Sequence, residues 1–256
     1  MLVLYQRFYL ETSKIDYSTC REGKYMPKNK MTLNEFIKTF GKLKAKGWVK
    51  SERKGSTGIG HTLEKLIGLP ENNVASPDLG KIELKSHRIN SSSMITLFTF
   101  NRKVWKMKPL EAIKKYGSPD SDGRFGLYFT MSRTPNSTGL FLHMESETIS
   151  VRHVSGEIVA EWQLQILAER FVEKIPALIL VSAFSEMRGD DEWLKFDRAQ
   201  LLAGTSAEII RSQILAGNIL VDLRLHDKIT SARNHGTGFR AHEDKLPLLF
   251  QIVKDL

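Results

Sequence analysis

Apolar and polar positions along this chain alternate between two periods, and the changes of period mark its elements. Residues 3–10, VLYQRFYL, alternate around Tyr5, Phe8 and Tyr9 and predict a strand. The stretch from Lys14 to Lys30 is polar and holds Pro27, which predicts a loop. Thr32-Leu-Asn-Glu35 has the spacing of a capping box. The helix it opens places Phe36, Ile37, Phe40 and Leu43 on one face, with Lys38, Lys42, Lys44 and Lys46 largely on the other. A glycine-rich turn with Gly55, Gly58 and Gly60 leads into a helix from Ile59 to Ile67, with Gly68 as its C-cap. After a loop from Pro70 to Pro77, Lys81 to Arg88 alternates as a strand, and a second strand spans Met94 to Phe100. Pro109 to Tyr116 reads as a short helix ended by Gly117. Hairpin-like strands follow over 125–132, 139–145, 147–154 and 157–162. Then come a helix over 163–173, an apolar strand over 177–184, a helix over 206–216 and a strand over 219–226. A glycine-bearing loop over 228–240 and a helix near 244–254 are expected to close the chain. The order predicts an α/β (α+β) fold, a mixed central sheet flanked by helices, forming one domain with two lobes.

Charge narrows the partner. Lys and Arg number 38 against 29 Asp and Glu, a net charge of +9. A surplus of this size suits a polyanion, because Lys and Arg displace counterions from phosphates. The single cysteine, Cys20, excludes a disulfide within the chain and a cysteine metal knuckle, and fits a reducing cytosol. No apolar run reaches the roughly 20 residues that span a bilayer, so a cytoplasmic protein without a membrane partner is expected.

The chemistry concentrates between Gly55 and Arg88. Gly55 and Gly60 have the spacing of a phosphate-binding loop, but His61-Thr62 stands where Lys-Ser/Thr is required. No H-E-x-x-H occurs, and neither Cys20 nor Ser91–Ser93 has a partnered base. Glu83 and Lys85 are two apart on a strand and share a face. Asp78, just before that strand, could fold back over its start. Two carboxylates and the Leu84 carbonyl are hard oxygen ligands of the kind Mg²⁺ takes. Bound there, Mg²⁺ would polarise a scissile phosphate and acidify a water, with Lys85 orienting that water. Glu64, near the end of the preceding helix, could reach the same metal. His61 borders the turn and is a candidate phosphate contact. A bare D-x(n)-E-x-K pattern also fits a solvated ion-pair strand.

The full stretches say more. Gly58-Ile-Gly-His-Thr-Leu-Glu64 and Pro77-Asp-Leu-Gly-Lys-Ile-Glu83-Leu-Lys85, with Val221-Asp-Leu-Arg-Leu-His226 and Arg233-Asn-His-Gly-Thr-Gly-Phe-Arg240, resemble the MvaI/BcnI type II restriction endonucleases, in the MutH-like branch of the restriction-endonuclease superfamily. The resemblance implies a PD-(D/E)XK-type monomer with two lobes around a double-stranded DNA cleft. It implies Mg²⁺-dependent nicking of one strand at a time at a short GC-rich site, with a cognate methyltransferase protecting the host. It makes Asp78, Glu83 and Lys85 the catalytic triad and Glu64 the auxiliary carboxylate. The catalytic lobe would include 31–132 and the recognition lobe 205–245. The mismatch-repair MutH branch shares the catalytic block, so a partner-dependent nicking enzyme stays open, as does a non-catalytic DNA-binding protein. Read from its residues, the second block is a loosened basic loop. Arg is the natural reader of guanine, and Asn or His can bond base edges. Arg233, Asn234, His235 and Arg240 are the candidate DNA contacts, with Arg224 and His226 behind them on the strand.

Overall fold

A computed structural model describes residues 31–69, 79, 82–89, 91–101 and 103–256. The expected strand over 3–10, the loops over 14–30 and 70–77, and Asp78 lie outside these residues. Thr32 opens the first described helix, Leu33–Ala45. Its Oγ1 accepts the Glu35 amide at 3.2 Å, and the Glu35 carboxylate accepts the Thr32 amide at 2.8 Å. Phe36, Phe40 and Leu43 are buried, while the four lysines are exposed and do not line the cleft described below. The other α-helices are Gly58–Ile67, Pro109–Tyr116, Leu164–Lys174 and Ala207–Leu215.

The described strands are β1 (Trp48–Lys50), β2 (Ile82–Arg88), β3 (Ile95–Thr99), β4 (Ser118–Pro119), β5 (Phe125–Met131), β6 (Leu140–Met144), β7 (Thr148–His153), β8 (Ile158–Gln163), β9 (Ala177–Arg188), β10 (Asp191–Ala203), β11 (Leu220–Asp227), β12 (Ala232–Asn234), β13 (Gly238–Ala241) and β14 (Ile252–Asp255). They form three sheets rather than the single central sheet expected, within a mixed α+β fold. The first has the order β1-β10-β9-β2, with β14 also on β10. In it β2 runs parallel to β9, from Ile82 opposite Ala177 to Arg88 opposite Ala183. The second has the order β3-β13-β11-β5-β4, with β12 on β11, and the third is β6-β7-β8.

Two hydrophobic cores flank the first sheet. Leu84, Ile179, Val181 and Phe196 pack with Phe36, Phe40 and Leu63 in one. Leu178, Leu180 and Leu202 belong to the other, with Trp162, Phe171, Leu223 and Phe239. Both faces of β9 are therefore buried, which is why Ala177–Val181 reads as an unbroken apolar run.

β3 and β5 pair with β13 and β11, so these strands share one sheet. Two expectations change. The loop over 228–240 contains two strands, made by pairing with β11 and β3 rather than by local propensity. The closing helix is a 3₁₀ turn, Glu243–Leu249, followed by β14. Pro247 lies inside that turn, lacks an amide and prevents an α-helix from propagating.

Candidate active site

The catalytic candidates lie where β2 meets the Gly58–Ile67 helix. Side chains alternate along a strand, so Glu83, Lys85 and His87 share one face. Lys85 Nζ donates to Glu83 Oε1 at 2.7 Å. Glu83 is only 6% exposed, because that face lies beside the buried Leu178 and Leu180 of β9. Its second oxygen, Oε2, is buried without a hydrogen bond and has Lys174 Nζ at 3.8 Å. A buried carboxylate oxygen with no bonded partner is costly, and such an unbonded hard oxygen fits a metal ligand. Among the described residues no three His, Cys, Asp or Glu side chains converge as a metal site. Asp78 is not among them. Leu84 buries its side chain in the core beneath the helices, which leaves its backbone as the only part that could serve a metal.

Glu64 and His61 line a cleft of about 510 Å³, together with Lys85, Ser93, Thr96 and Arg240. The glycine turn that shapes this cleft is braced from β2. Arg88 donates to the Gly55 carbonyl at 3.0 Å and forks onto Glu192 of β10 at 2.6 and 2.8 Å. Thr62, standing in a phosphate loop's Ser/Thr position, is wholly buried. Its Oγ1 donates to the Gly58 carbonyl at 2.7 Å and accepts the Glu52 amide at 2.9 Å, so it latches the turn to the helix. Gly58 is required by close approach: a Cβ there would overlap the Arg53 carbonyl oxygen and crowd Ser51 Oγ at 2.8 Å. Gly→Ala in a helix usually gains about 0.5–1 kcal/mol, but overpacking costs about 1–3 kcal/mol. Gly58→Ala is therefore expected to lower the melting temperature, as read by thermal unfolding; a rise would show that the turn yields freely.

A second group of polar side chains covers one face of β11. Asp222 is 1% exposed. It accepts Thr130 Oγ1 at 2.9 Å and Arg224 Nε at 2.6 Å. Arg240 Nε stands 2.9 Å from Asp222 but out of line, an ion pair without a formed hydrogen bond, so Nε is left unbonded. Burial lowers the pKa of Arg240 from its ordinary value, Asp222 opposes that shift, and Arg224 adds to it. Further along, His226 Nδ1 lies 2.8 Å from His235 Nε2 and 3.1 Å from the Tyr128 hydroxyl. Desolvation and the charges of His235, Arg233, Arg124 and Lys228 lower the pKa of His226, which favours a neutral ring. Arg233 is exposed, whereas Asn234 spends its side-chain oxygen on the Gly236 amide at 2.8 Å and so shapes the loop.

Of the residues expected from sequence, the structure brings Glu83 together with Lys85, and it lines one cleft with Glu64, His61, Lys85 and Arg240. Arg224, His226, Arg233 and His235 follow from Arg240 along β11 and β12, outside that cleft. Lys174, Asp222, Tyr128 and the pairing of buried His87 with Glu243, 3.0 Å apart, were not anticipated. Asp222 and His87 carried a local signal, since Asp222 alternates in phase with Arg224 and His226, and His87 with Glu83 and Lys85.

The solved complex titled "Restriction endonuclease MvaI-cognate DNA substrate complex" matches with a TM-score of 0.73 and 25% identity, covering 88% of this chain and 99% of that one. The structure titled "Restriction endonuclease MvaI in the absence of DNA" matches with a TM-score of 0.49 and 25% identity, over 91% of this chain and 99% of that one. No curated protein sequence matches. The model of the MvaI/BcnI restriction endonuclease family matches residues 37–250, and the chain belongs to that family.

Proposed function

We propose that this chain is a Mg²⁺-dependent type II restriction endonuclease that hydrolyses double-stranded DNA at a short GC-rich sequence, nicking each strand in turn as a monomer. The observation that carries the reading is Arg240, which lines the same cleft as Glu64 and Lys85. Its terminal nitrogens take no hydrogen bond among the described residues. A guanidinium held beside a candidate hydrolytic cluster couples base reading to cutting. The GC preference is supported by Arg224 and Arg240 sharing Asp222, since an arginine fork matches guanine O6 and N7. One candidate catalytic cluster among the described residues supports successive nicks.

Asp78 and Glu83 would hold the metal, with the Leu84 carbonyl and Glu64 as further oxygen donors. Mg²⁺ bound there would supply Lewis-acid polarisation of the phosphate and a water of lowered pKa. The chain's own residues do the rest. Lys85 orients the attacking water and offsets charge growing on the phosphate. Lys174 balances the Glu83 charge, and His61 and Arg233 bind phosphate.

Digestion of a sequenced plasmid with the purified protein and Mg²⁺, followed by sequencing of the ends, tests the reading. Discrete fragments ending at one short sequence are expected, and chelation of the metal should stop the reaction. Weak nicking that needs an added partner would favour a mismatch-repair-type enzyme, and binding without cleavage a non-catalytic DNA-binding protein. Arg233→Ala should weaken binding uniformly across sequences and reduce the slope of log K against log salt by about 0.9, the effect of one phosphate contact. Titration at several salt concentrations checks it, and an unchanged slope would remove Arg233 from the phosphate contacts.

A further inference from the structure

The turn between β11 and β12 carries an isoleucine in a conformation isoleucine avoids. Ile229 has φ +71°, in the left-handed region, where a β-branched side chain is crowded against its own backbone. Packing does not compensate, because the residue is 86% exposed, more than any other exposed large hydrophobic side chain described. The turn is nonetheless held firmly. Asp227 Oδ1 accepts the Ile229 amide, and the Lys228 amide donates to the Ser231 carbonyl at 2.8 Å. Pairing of β11 with β12 from Leu225 opposite Asn234 to Asp227 opposite Ala232 supports it from below. Asn or Gly would occupy this φ without strain. A strained apolar side chain held out in water contributes nothing visible to the free protein's stability.

Its surroundings indicate what it meets. Lys228 precedes it and Arg233 lies on β12 just beyond the turn, both exposed. The polar face that starts at Arg240 and Asp222 runs through Arg224 and His226 to this tip. Asp222 to Asp227, at the foot of the turn, spans about 17 Å at the rise of a strand, or about five base pairs of duplex.

We propose that Ile229 is a DNA wedge. Its side chain presses into a base step at the far end of the reading face and partly unstacks it, while Lys228 and Arg233 hold the flanking phosphates. Apolar wedges of this type trade unstacking for added contact with a bent duplex. The inference rests on the DNA-cleaving reading above and adds a contact outside the cleft.

Ile229→Asn removes the wedge and suits the backbone. It should leave the melting temperature unchanged or raise it, and weaken binding of a short mixed-sequence duplex about tenfold or more, the scale of one buried aliphatic side chain. With wild-type protein, 2-aminopurine walked along the duplex should brighten at one position, and with Ile229→Asn it should not. Ile229→Met keeps an apolar side chain without β-branching and should retain binding. Wild-type affinity in Ile229→Asn would overturn the wedge, and so would a lowered melting temperature, which would show that the residue serves the fold. Wild-type protein that binds no duplex would overturn the DNA-cleaving reading as well, so the two failures are distinct.

Discussion

Replacing Lys85 by alanine is expected to lower DNA cleavage about 10²–10⁴-fold, the range a positioned proton-transfer group contributes. DNA binding should remain. Lys85 reaches Glu83 at 2.7 Å and lines the cleft that Arg240 also lines, so its loss removes charge at the proposed reacting centre and leaves the β11 face of Asp222 and Arg224 intact. Two secondary effects need separating from the chemical one. Glu83 would keep Lys174 at 3.8 Å as its only cation among the described residues. Its burial means that losing a partner also carries a desolvation cost. Thermal unfolding alongside single-turnover cleavage divides these contributions. A variant that melts like wild type but does not cut supports the assignment. One that cuts at the wild-type rate removes Lys85 from the chemistry.

Asp222→Asn should have the next largest effect, and on a different property. The carboxylate is 1% exposed and holds Thr130, Arg224 and Arg240 together. An amide of the same shape loses the negative charge and leaves two guanidinium groups facing each other. Arg224 is 42% and Arg240 25% exposed in their side chains, so solvent screens part of the loss. The fold should weaken modestly. Specificity should weaken more, because a bidentate arginine–guanine pair discriminates by about 1–3 kcal/mol and both readers depend on this one anchor. Cleavage of single-mismatch sites relative to the cognate site should rise about 10- to 100-fold. An unchanged ratio would show that the arginines are oriented by DNA rather than by Asp222.

What the sequence revealed about this molecule follows from how local each signal is. The capping box at Thr32 and Glu35, the C-cap at Gly68 (φ +82°) and the helix Pro109–Tyr116 are set by neighbours within four residues, and they form as expected. The Glu83–Lys85 pair was legible for the same reason, since i and i+2 on one strand are neighbours. β10 escaped notice although it is 13 residues long. A register shift between Phe196 and Arg198 reverses the phase of its side chains. Leu194 and Phe196 point into the same core as Ala199 and Leu201, so no single period runs through the strand. At the end of the chain, Leu246, Leu249 and Phe250 imitate helical spacing. Ile252–Asp255 instead becomes a strand by pairing with β10, some fifty residues upstream. The partners that organise the site are more distant in sequence. Thr130 meets Asp222 across 92 residues and Tyr128 meets His226 across 98, distances over which periodicity carries no information.

The link from buried His87 to Glu243 has a mechanical meaning. His87 lies on the same strand as Lys85, two residues further on. Glu243 follows Arg240 by three residues and also accepts Ser182 Oγ at 3.2 Å. The strand that carries Lys85 and the turn that follows the strand of Arg240 are thus linked through a 3.0 Å contact that is nearly closed to solvent on the histidine side. On the proposed reading, this pin works as a caliper: it sets how many base pairs separate the recognised guanine from the broken phosphate, whichever DNA lies in the jaws. The register of the cut would then belong to the backbone, while the choice of sequence belongs to side chains that can change without moving it.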